Sequence, residues 1–417
     1  MSKKTPAVLP DPAEEEIPEK WTVMVFMGAE TEDGNAPMIQ PAIDDLVEMA
    51  TVGSGRALNI HVQVHTRDMV YRARVDRRLG KALRSRGLAA LPAVKKAPMH
   101  TGGPLADFME DALKKSGHQA GNSKHCSMLV LWGHAYDFAI GKAPTTSGEL
   151  DALDFVEIKD MLQRMQSHVR TKIRSSGAPK LDIVAFDACD VATAEVACEL
   201  EPYADFLLGS QSGVPIPGWP YDDVLQRLRE PYRRMMRPIE LGTWIVGRFT
   251  ESYASRRAAS LSMLRLKRAG DLSDRISALA ESLLRFIAHD PSDQELVAEI
   301  FTRSMTDFDK PYVDVADLCL NLVRECGDPL VHAAARTLGD FLIAPLADTS
   351  DDAPPGTTQF ITANGRNAGE TALLNGLSIY APHLAPERDS VELRKLYEKF
   401  ELSSRTAWPQ LVFQLAG

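Results

Sequence analysis

Met128–His134 reads MLVLWGH, and Asp182–Cys189 reads DIVAFDAC. In both stretches a short apolar run leads directly into residues with reactive side chains, His134 in the first and Asp187 and Cys189 in the second. Short runs of this kind are typical of strands that are buried on both faces of a sheet. Parallel strands carry ligands at their carboxyl ends, so if the two strands are neighbours, an imidazole can reach a thiol there.

The surrounding sequence predicts an α/β fold with a mainly parallel central sheet flanked by helices. Further strands are predicted at Thr22–Phe26, Asn59–Val64 and Asp205–Gly209, and helices at Ala42–Ala50, Leu105–Lys114, Phe155–Arg170 and Ala192–Leu200. From Pro238 onward the pattern is mostly helical, with a strand-like run at Gly376–Tyr380. We therefore expect a disordered leader (1–20), a catalytic α/β core (21–237) and a mostly helical C-terminal region packed on that core (238–417).

Composition excludes several classes of protein. The chain has 417 residues and a formal net charge of -10, which predicts no general attraction to nucleic acid or to an anionic membrane. No apolar run is long enough to span a bilayer, and the leader lacks the apolar run of a secretory signal. The five cysteines are odd in number and widely scattered, which disfavours a disulfide framework and favours the cytoplasm.

One segment departs from the acidic average. Between Arg67 and Lys96 the basic residues are Arg67, Arg72, Arg74, Arg77, Arg78, Lys81, Arg84, Arg86, Lys95 and Lys96. Charge runs of this kind usually mark solvated surface, and a binding patch for a partner or for nucleic acid is the alternative. Tyr71 is the one aromatic residue among them, which disfavours stacking on single-stranded nucleic acid.

Spacing alone does not establish a catalytic pair. Cysteine is among the residues most often buried, so Cys189 taken by itself is more readily an inert core thiol, and the same reasoning applies to His134. Additional sequence context is needed to favour catalysis.

That context comes from blocks along most of the chain, in order. They are WTVMVFMG (Trp21–Gly28), TGGPLADF (Thr101–Phe108), LVLWGH (Leu129–His134), FDACDVATAE (Phe186–Glu195), ADFLLGSQSGVPIPGWPYD (Ala204–Asp222), YVDVAD (Tyr312–Asp317) and GLSIYAP (Gly376–Pro382). Together they resemble the clostripain family of caspase-like cysteine peptidases. The resemblance implies a caspase-like sandwich, a His134–Cys189 dyad and cleavage of peptides or proteins after Arg or Lys.

The resemblance also implies roles around the dyad. The backbone N–H groups of Ala135 and Cys189 would bind the oxyanion, and Asp187 would form the floor of the pocket for the basic side chain. A helix N-cap is the alternative role for Asp187. Ser210, Gln211 and Ser212 would line the same pocket, whereas Trp219, later in that loop, can equally pack on the core.

Activation is the last implied property. Family members are often activated by self-cleavage after a basic residue, for which Lys142 is the candidate, and an activating partner is a further expectation. No cofactor is required, but calcium is a family trait, and Asp137, Glu149, Asp151 and Asp154 could supply oxygen ligands. Ala135 stands where the family usually has Gly, and Gly133 where Asp is common, so the alternative function is a catalytically silent scaffold or regulatory binding protein.

Overall fold

The structure is a computed structural model of the chain. It describes residues 17–29, 38–66, 68–95, 103–118, 122, 124–136, 138–141, 152–173, 180–229, 235–253, 257–288, 290–304, 306, 310–343, 360–367, 373–386 and 390–416. All structural statements below concern these residues.

The strands and helices follow one another along the chain as the α/β prediction requires. The strands are β1 (Lys20–Gly28), β2 (Leu58–His65), β3 (Val70–Arg74), β4 (Ala93–Val94), β5 (His125–Trp132), β6 (Ala135–Tyr136), β7 (Ala139–Gly141), β8 (Ala152–Asp154), β9 (Leu181–Asp187), β10 (Ala204–Gly209), β11 (Ser260–Arg265), β12 (Tyr312–Asp314), β13 (Ile361–Arg366) and β14 (Ser378–Tyr380). The helices are α1 (Ile39–Val52), α2 (Leu79–Arg86), α3 (Gly103–Lys115), α4 (Phe155–Ile173), α5 (Ala194–Leu200), α6 (Tyr221–Arg229), α7 (Pro238–Tyr253), α8 (Ala269–Ile287), α9 (Pro291–Arg303), α10 (Val315–Glu325), α11 (Pro329–Leu342), α12 (Val391–Tyr397), α13 (Glu401–Arg405) and α14 (Trp408–Ala416).

Nine of the strands form one mixed sheet, in the order β13-β11-β10-β9-β5-β1-β2-β3-β4. The five central strands, from β10 to β2, are parallel to one another. They are the five strands predicted from the first half of the sequence, so that prediction is confirmed. The outer strands β13, β11, β3 and β4 pair in antiparallel fashion.

Helices cover both faces of this sheet. Successive side chains of a strand point to opposite faces, and in β1 Val23 and Val25 enter one hydrophobic core while Met24 and Phe26 enter the other. Helices α1, α6 and α7 contribute to the first core, and α3, α4, α5 and α8 are among those that contribute to the second. This three-layer packing is the α/β sandwich that the sequence predicts.

The C-terminal part of the chain is mostly helical, as expected, but it also supplies two sheet strands. Strand β11 pairs with β10, and β13 pairs with β11. Strands β12 and β14 form a separate pair, which confirms the strand-like run near Tyr380. The division of the chain at residue 238 stays a prediction, and any such boundary would cut through one continuous sheet.

The basic segment is built into the edge of the sheet. It forms β3, α2 and β4, and Arg72 Nε donates to Gln63 Oε1 of β2 at 2.7 Å, while Arg74 Nε donates to Asn59 Oδ1 at 3.2 Å. Other basic residues of the segment, such as Arg78 and Arg86, are exposed. Arg72 and Arg74 are thus held by hydrogen bonds within the fold. Binding of a partner or of nucleic acid by the exposed basic residues stays the alternative prediction.

None of the helices in the described ranges is both long enough and apolar enough to cross a membrane.

Candidate active site

His134 and Cys189 follow two neighbouring strands at the same distance. Strand β5 pairs with β9 in parallel, and the last register pair is Trp132 with Asp187. His134 lies two residues beyond that pair on one strand, and Cys189 lies two residues beyond it on the other. Neighbouring strands are about 4.8 Å apart, so the register places the two residues next to each other beyond the carboxyl ends of β5 and β9.

Cys189 is half-buried, and its sulfur has a specific donor. Val214 N–H donates to Cys189 Sγ at 3.2 Å, from the loop after β10. Burial raises the pKa of the thiol, and the neighbouring Asp190 raises it further, while the Val214 hydrogen bond and Lys310 oppose them. A thiol with a raised pKa needs a base to become a nucleophile, which is the role predicted for His134.

The other four cysteines differ from Cys189 in exposure. All five cysteines are free, and Cys126, Cys198, Cys319 and Cys326 are buried. Burial raises the pKa of Cys198 to about 12, although Ser273 hydrogen-bonds its sulfur. Cys189 is therefore the cysteine most accessible to a reagent from solvent, and the other four have the burial expected of inert core thiols.

Asp187 ends β9 and is enclosed by the loop that follows β10. Its side chain is 5% exposed, and Oδ2 accepts hydrogen bonds from Trp219 N–H and from the Tyr221 hydroxyl, both at 3.1 Å. The helix N-cap alternative is wrong, because α5 begins later, at Ala194, with Thr193 as its cap. Trp219 is itself 1% exposed, which confirms that it packs on the core.

Gly218 allows this enclosure to be tight. It has φ +86°, and a Cβ there would lie 2.9 Å from Asp187 Oδ2. Tyr253 Oη lies 2.7 Å from Gly218 O and thus fixes the turn from the outside. Only a residue without a side chain fits between this turn and the carboxylate.

Two more carboxylates lie behind Asp187, on helix α1. Asp45 is 1% exposed and accepts a hydrogen bond from Trp132 Nε1 at 2.7 Å, and Glu48 accepts one from Tyr221 N–H at 2.9 Å. Burial, reinforced by the nearby Glu48, raises the pKa of Asp187 to about 7, despite the two donors on Oδ2. Burial, together with Asp187, also raises the pKa of Asp45 well above its ordinary value.

The raised pKa of Asp187 gives a pH prediction. A carboxyl with a pKa near 7 is mostly neutral at pH 6 and mostly charged at pH 8, so a pocket that depends on it should attract a cation better as the pH rises. We expect the ratio of kcat/KM for an Arg substrate to that for its neutral citrulline analogue to rise about tenfold from pH 6 to pH 8, since each unit below the pKa removes about tenfold of the charged form. The ratio cancels the titration of the dyad, and a ratio that stays flat over this range would contradict the role of Asp187.

The three residues predicted to line the pocket directly follow β10, and all three of their side chains form hydrogen bonds within the protein, Ser212 Oγ with Ser260 Oγ at 2.9 Å. Ser210 is fully buried, and its hydroxyl donates to Ser212 O at 2.9 Å. Gln211 Nε2 donates to Asp314 Oδ2 at 3.0 Å, and Gln211 Oε1 accepts from Gly376 N–H. Ser212 is half-buried. Contact of this segment with substrate stays a prediction, which for Ser210 and Gln211 concerns their backbone.

The backbone around His134 accommodates the residues that depart from the family pattern. Gly133 has φ +146° and lies against Gly28 O, so it is the position in this block that benefits from glycine. Ala135 begins β6, and the positive φ values of non-glycine residues lie elsewhere, at Phe138 and Asp190. Alanine at 135 is therefore compatible with an N–H aimed at an oxyanion, and that role stays a prediction.

Several predicted residues lie outside the described residues. They are the self-cleavage candidate Lys142 and the calcium candidates Asp137, Glu149 and Asp151. The fourth calcium candidate, Asp154, accepts a hydrogen bond from Glu157 N–H at 2.7 Å and so caps α4. Within the described ranges no group of three or more His, Cys, Asp or Glu residues could hold a metal ion, and calcium binding stays a prediction.

Sequence reasoning missed three groups at this site. They are the Val214 N–H on the sulfur, the Trp219–Tyr221 enclosure of Asp187 and the ion pair between Lys310 and Asp190. The signal available for the last was Asp190 itself, an acid directly after the proposed nucleophile. Its partner lies 120 positions away, where only the folded chain reveals it.

Comparisons with known proteins agree with the fold. A solved secreted C11 cysteine protease from Bacteroides thetaiotaomicron, iotapain, matches with a TM-score of 0.59 and 14% identity, over 94% of this chain and all of that one. An inactive zymogen C11 protease from Parabacteroides distasonis matches with a TM-score of 0.56 and 14% identity, over 96% of this chain and 99% of that one. At such identity the likeness shows the fold, which is the caspase-like sandwich.

The sequence comparisons give the family. The clostripain of Hathewaya histolytica is 36% identical over 88 residues, which are 20% of this chain and only 14% of that protein. The model of the clostripain family, peptidase C11, matches residues 94–324, more than half of the chain. The chain therefore belongs to the clostripain family of cysteine peptidases.

Proposed function

We propose that this peptidase cleaves after Arg or Lys, with Cys189 as its nucleophile, His134 as its base and Asp187 as the partner of the basic side chain. The single observation that carries the proposal is the pairing of β5 with β9, in which Trp132 stands opposite Asp187. It brings all three residues to one edge of the sheet, where this class of fold binds ligands.

The reaction follows from these positions. His134 removes the thiol proton, and Cys189 Sγ attacks the carbonyl carbon of the scissile bond. The N–H groups of Cys189 and Ala135 would stabilise the oxyanion that forms. His134 then protonates the leaving amine as the C–N bond breaks, which leaves a thioester on Cys189. Water, deprotonated by His134, attacks the thioester and releases the new carboxyl terminus and the thiol.

Specificity for a basic residue rests on Asp187. It lies two residues before the nucleophile, at the end of the same strand, and it is screened from water by Trp219 and Tyr221. A guanidinium or ammonium in such a place forms a charge-assisted pair that a neutral side chain cannot form. The loop from Ser210 to Tyr221 contains no acid of its own, and two of its residues, Trp219 and Tyr221, donate hydrogen bonds to Asp187.

A substrate panel tests the proposal. Short peptides that place Arg, Lys, citrulline, Asp or Asn before one reporter group should be cleaved with the highest kcat/KM for Arg or Lys. Cys189→Ala should abolish cleavage of every member of the panel. Preference for Asp, or equal rates for Arg and citrulline, would refute the assignment of Asp187.

We also propose activation by self-cleavage after Lys142. This residue lies in the connection between β7 and β8, which pair with each other in antiparallel fashion, Gly141 opposite Ala152. A cut in that connection leaves both strands in place. We expect purified wild-type protein to be cut after Lys142 into two fragments that stay together on gel filtration, and Cys189→Ala protein to remain intact. Cleavage of the wild type and of Cys189→Ala at the same site would contradict self-cleavage.

A further inference from the structure

The residue directly after Cys189 has an unusual backbone and a distant partner. Asp190 has φ +55°, in the left-handed region that non-glycine residues rarely occupy. Its carboxylate forms an ion pair with Lys310, and both side chains are largely buried, with 17% and 21% of their surface exposed. Its N–H donates to Ser212 O at 3.2 Å.

Lys310 is held by the C-terminal part of the fold. It comes two residues before β12, which pairs with β14. Strand β14 in turn bridges back to Thr193, the cap of α5, and Ser378 N–H donates to Ala192 O at 2.8 Å. The segment from Cys189 to Thr193 is therefore fixed at one end by Lys310 and at the other by β14.

The ion pair also sets the net charge next to the Cys189 thiol. An unpaired carboxylate beside Cys189 would oppose formation of the thiolate, because like charges repel. The ammonium of Lys310 pairs with that carboxylate and itself favours the thiolate of Cys189. Asp187 also disfavours the thiolate, and His134 follows the end of the neighbouring strand β5.

We propose that Lys310 is a positioning residue of the peptidase: through its ion pair with Asp190 it fixes the loop that presents Cys189 and offsets the carboxylate next to the thiol. The inference rests on the proposed role of Cys189 as nucleophile. It assigns to the C-terminal part of the chain a direct effect on the reactivity of a residue in the α/β core.

Four variants test it by the pH dependence of Cys189 alkylation with iodoacetamide, followed by mass spectrometry of the modified peptide. Lys310→Met removes the positive charge and keeps the bulk, and Lys310→Arg keeps the charge. Asp190→Asn removes the negative charge, and Asn tolerates the left-handed backbone better than most residues. The fourth variant combines Asp190→Asn with Lys310→Met.

We expect the midpoint of alkylation to rise in Lys310→Met by about one pH unit, which lowers the rate at pH 7 about tenfold. It should fall below that of the wild type in Asp190→Asn, and it should stay near the wild-type value in Lys310→Arg and in the double variant. Among these, kcat/KM should drop most in Lys310→Met.

A purely structural role would move other quantities. If Lys310→Met lowers the melting temperature but leaves the alkylation midpoint of the remaining folded protein unchanged, the inference is overturned, and the same holds if the double variant shifts as far as Lys310→Met. Failure of the proposed function is separate, because the wild type would then be alkylated at Cys189 without cleaving any Arg or Lys peptide.

Discussion

Replacing Asp187 with asparagine should lower kcat/KM for Arg and Lys substrates by about 10²- to 10³-fold, equivalent to about 3–4 kcal/mol of transition-state binding. Asparagine keeps an oxygen for the Trp219 N–H and the Tyr221 hydroxyl, which Asp187 Oδ2 accepts at 3.1 Å each. The fold is thereby preserved and the charge alone is lost. Asp187→Ala is a poorer test, because it leaves both donors buried without an acceptor, at a cost of about 1–3 kcal/mol each.

The control for this variant is Asp182→Asn. Asp182 lies on the same strand, five residues earlier, where Ser127 N–H donates to its Oδ2 at 2.7 Å, and burial raises its pKa to about 6. It is therefore a hydrogen-bonded carboxyl with a raised pKa like Asp187, but it is half-buried and lies at the opposite end of β9. It should keep the wild-type preference for Arg over citrulline. If Asp187→Asn keeps that preference as well, the basic specificity has another source.

Replacing His134 with alanine should lower kcat by about 10²- to 10⁴-fold and leave KM within a few-fold, since a general base acts on the chemical step. Burial raises the pKa of the Cys189 thiol, so without its base the thiol is mostly protonated at neutral pH. His134→Ala should then regain activity as the pH rises, because hydroxide can form the thiolate directly. Cleavage rates from pH 6 to pH 10 measure this.

The matched control is His125→Gln, at the opposite end of the same strand β5. It should change kcat by no more than a few-fold. Equal losses of kcat in both histidine variants would indicate that β5 had been destabilised. A wild-type kcat in His134→Ala would contradict the role of His134 as the base.

The centre of the sheet could be predicted from the sequence because its strands carry their own signal. Runs such as Met128–Trp132 and Ile183–Phe186 are apolar throughout, as strands buried on both faces must be, and each is bounded by polar or small residues. The positions of His134 and Cys189 follow from the ends of those runs. The order of the strands in the sheet cannot be predicted from those runs, because it depends on which strands pair in space.

The edges of the sheet carry no such signal. Strand β11 comes about fifty residues after its partner β10, and β13 comes about a hundred residues after β11. The local sequence therefore does not indicate that these strands pair. The sequence of β13, ITANGR, is polar enough to read as a loop. The prediction that the C-terminal half is mostly helical is confirmed, but it does not include β11 and β13.

The environment of the site depends on similar long-range contacts. Asp187 could be predicted to face a basic side chain, but its burial under Trp219 and its proximity to Glu48 on α1 come from elements far away in the chain. Those contacts make its charge depend on pH near neutrality. Ser210 and Gln211 are predicted to line the pocket, and their side chains hydrogen-bond to Ser260 and Asp314, which come from distant parts of the chain.

The most direct test of the account is labelling of the wild-type protein at pH 8 with a peptidyl electrophile that carries Arg, beside the same reagent carrying citrulline. Mass spectrometry of the digested protein then identifies the modified residue. The account predicts one adduct, at Cys189, formed much faster with Arg than with citrulline and lost in Cys189→Ala. Labelling of another cysteine, or equal rates for the two reagents at Cys189, would contradict it.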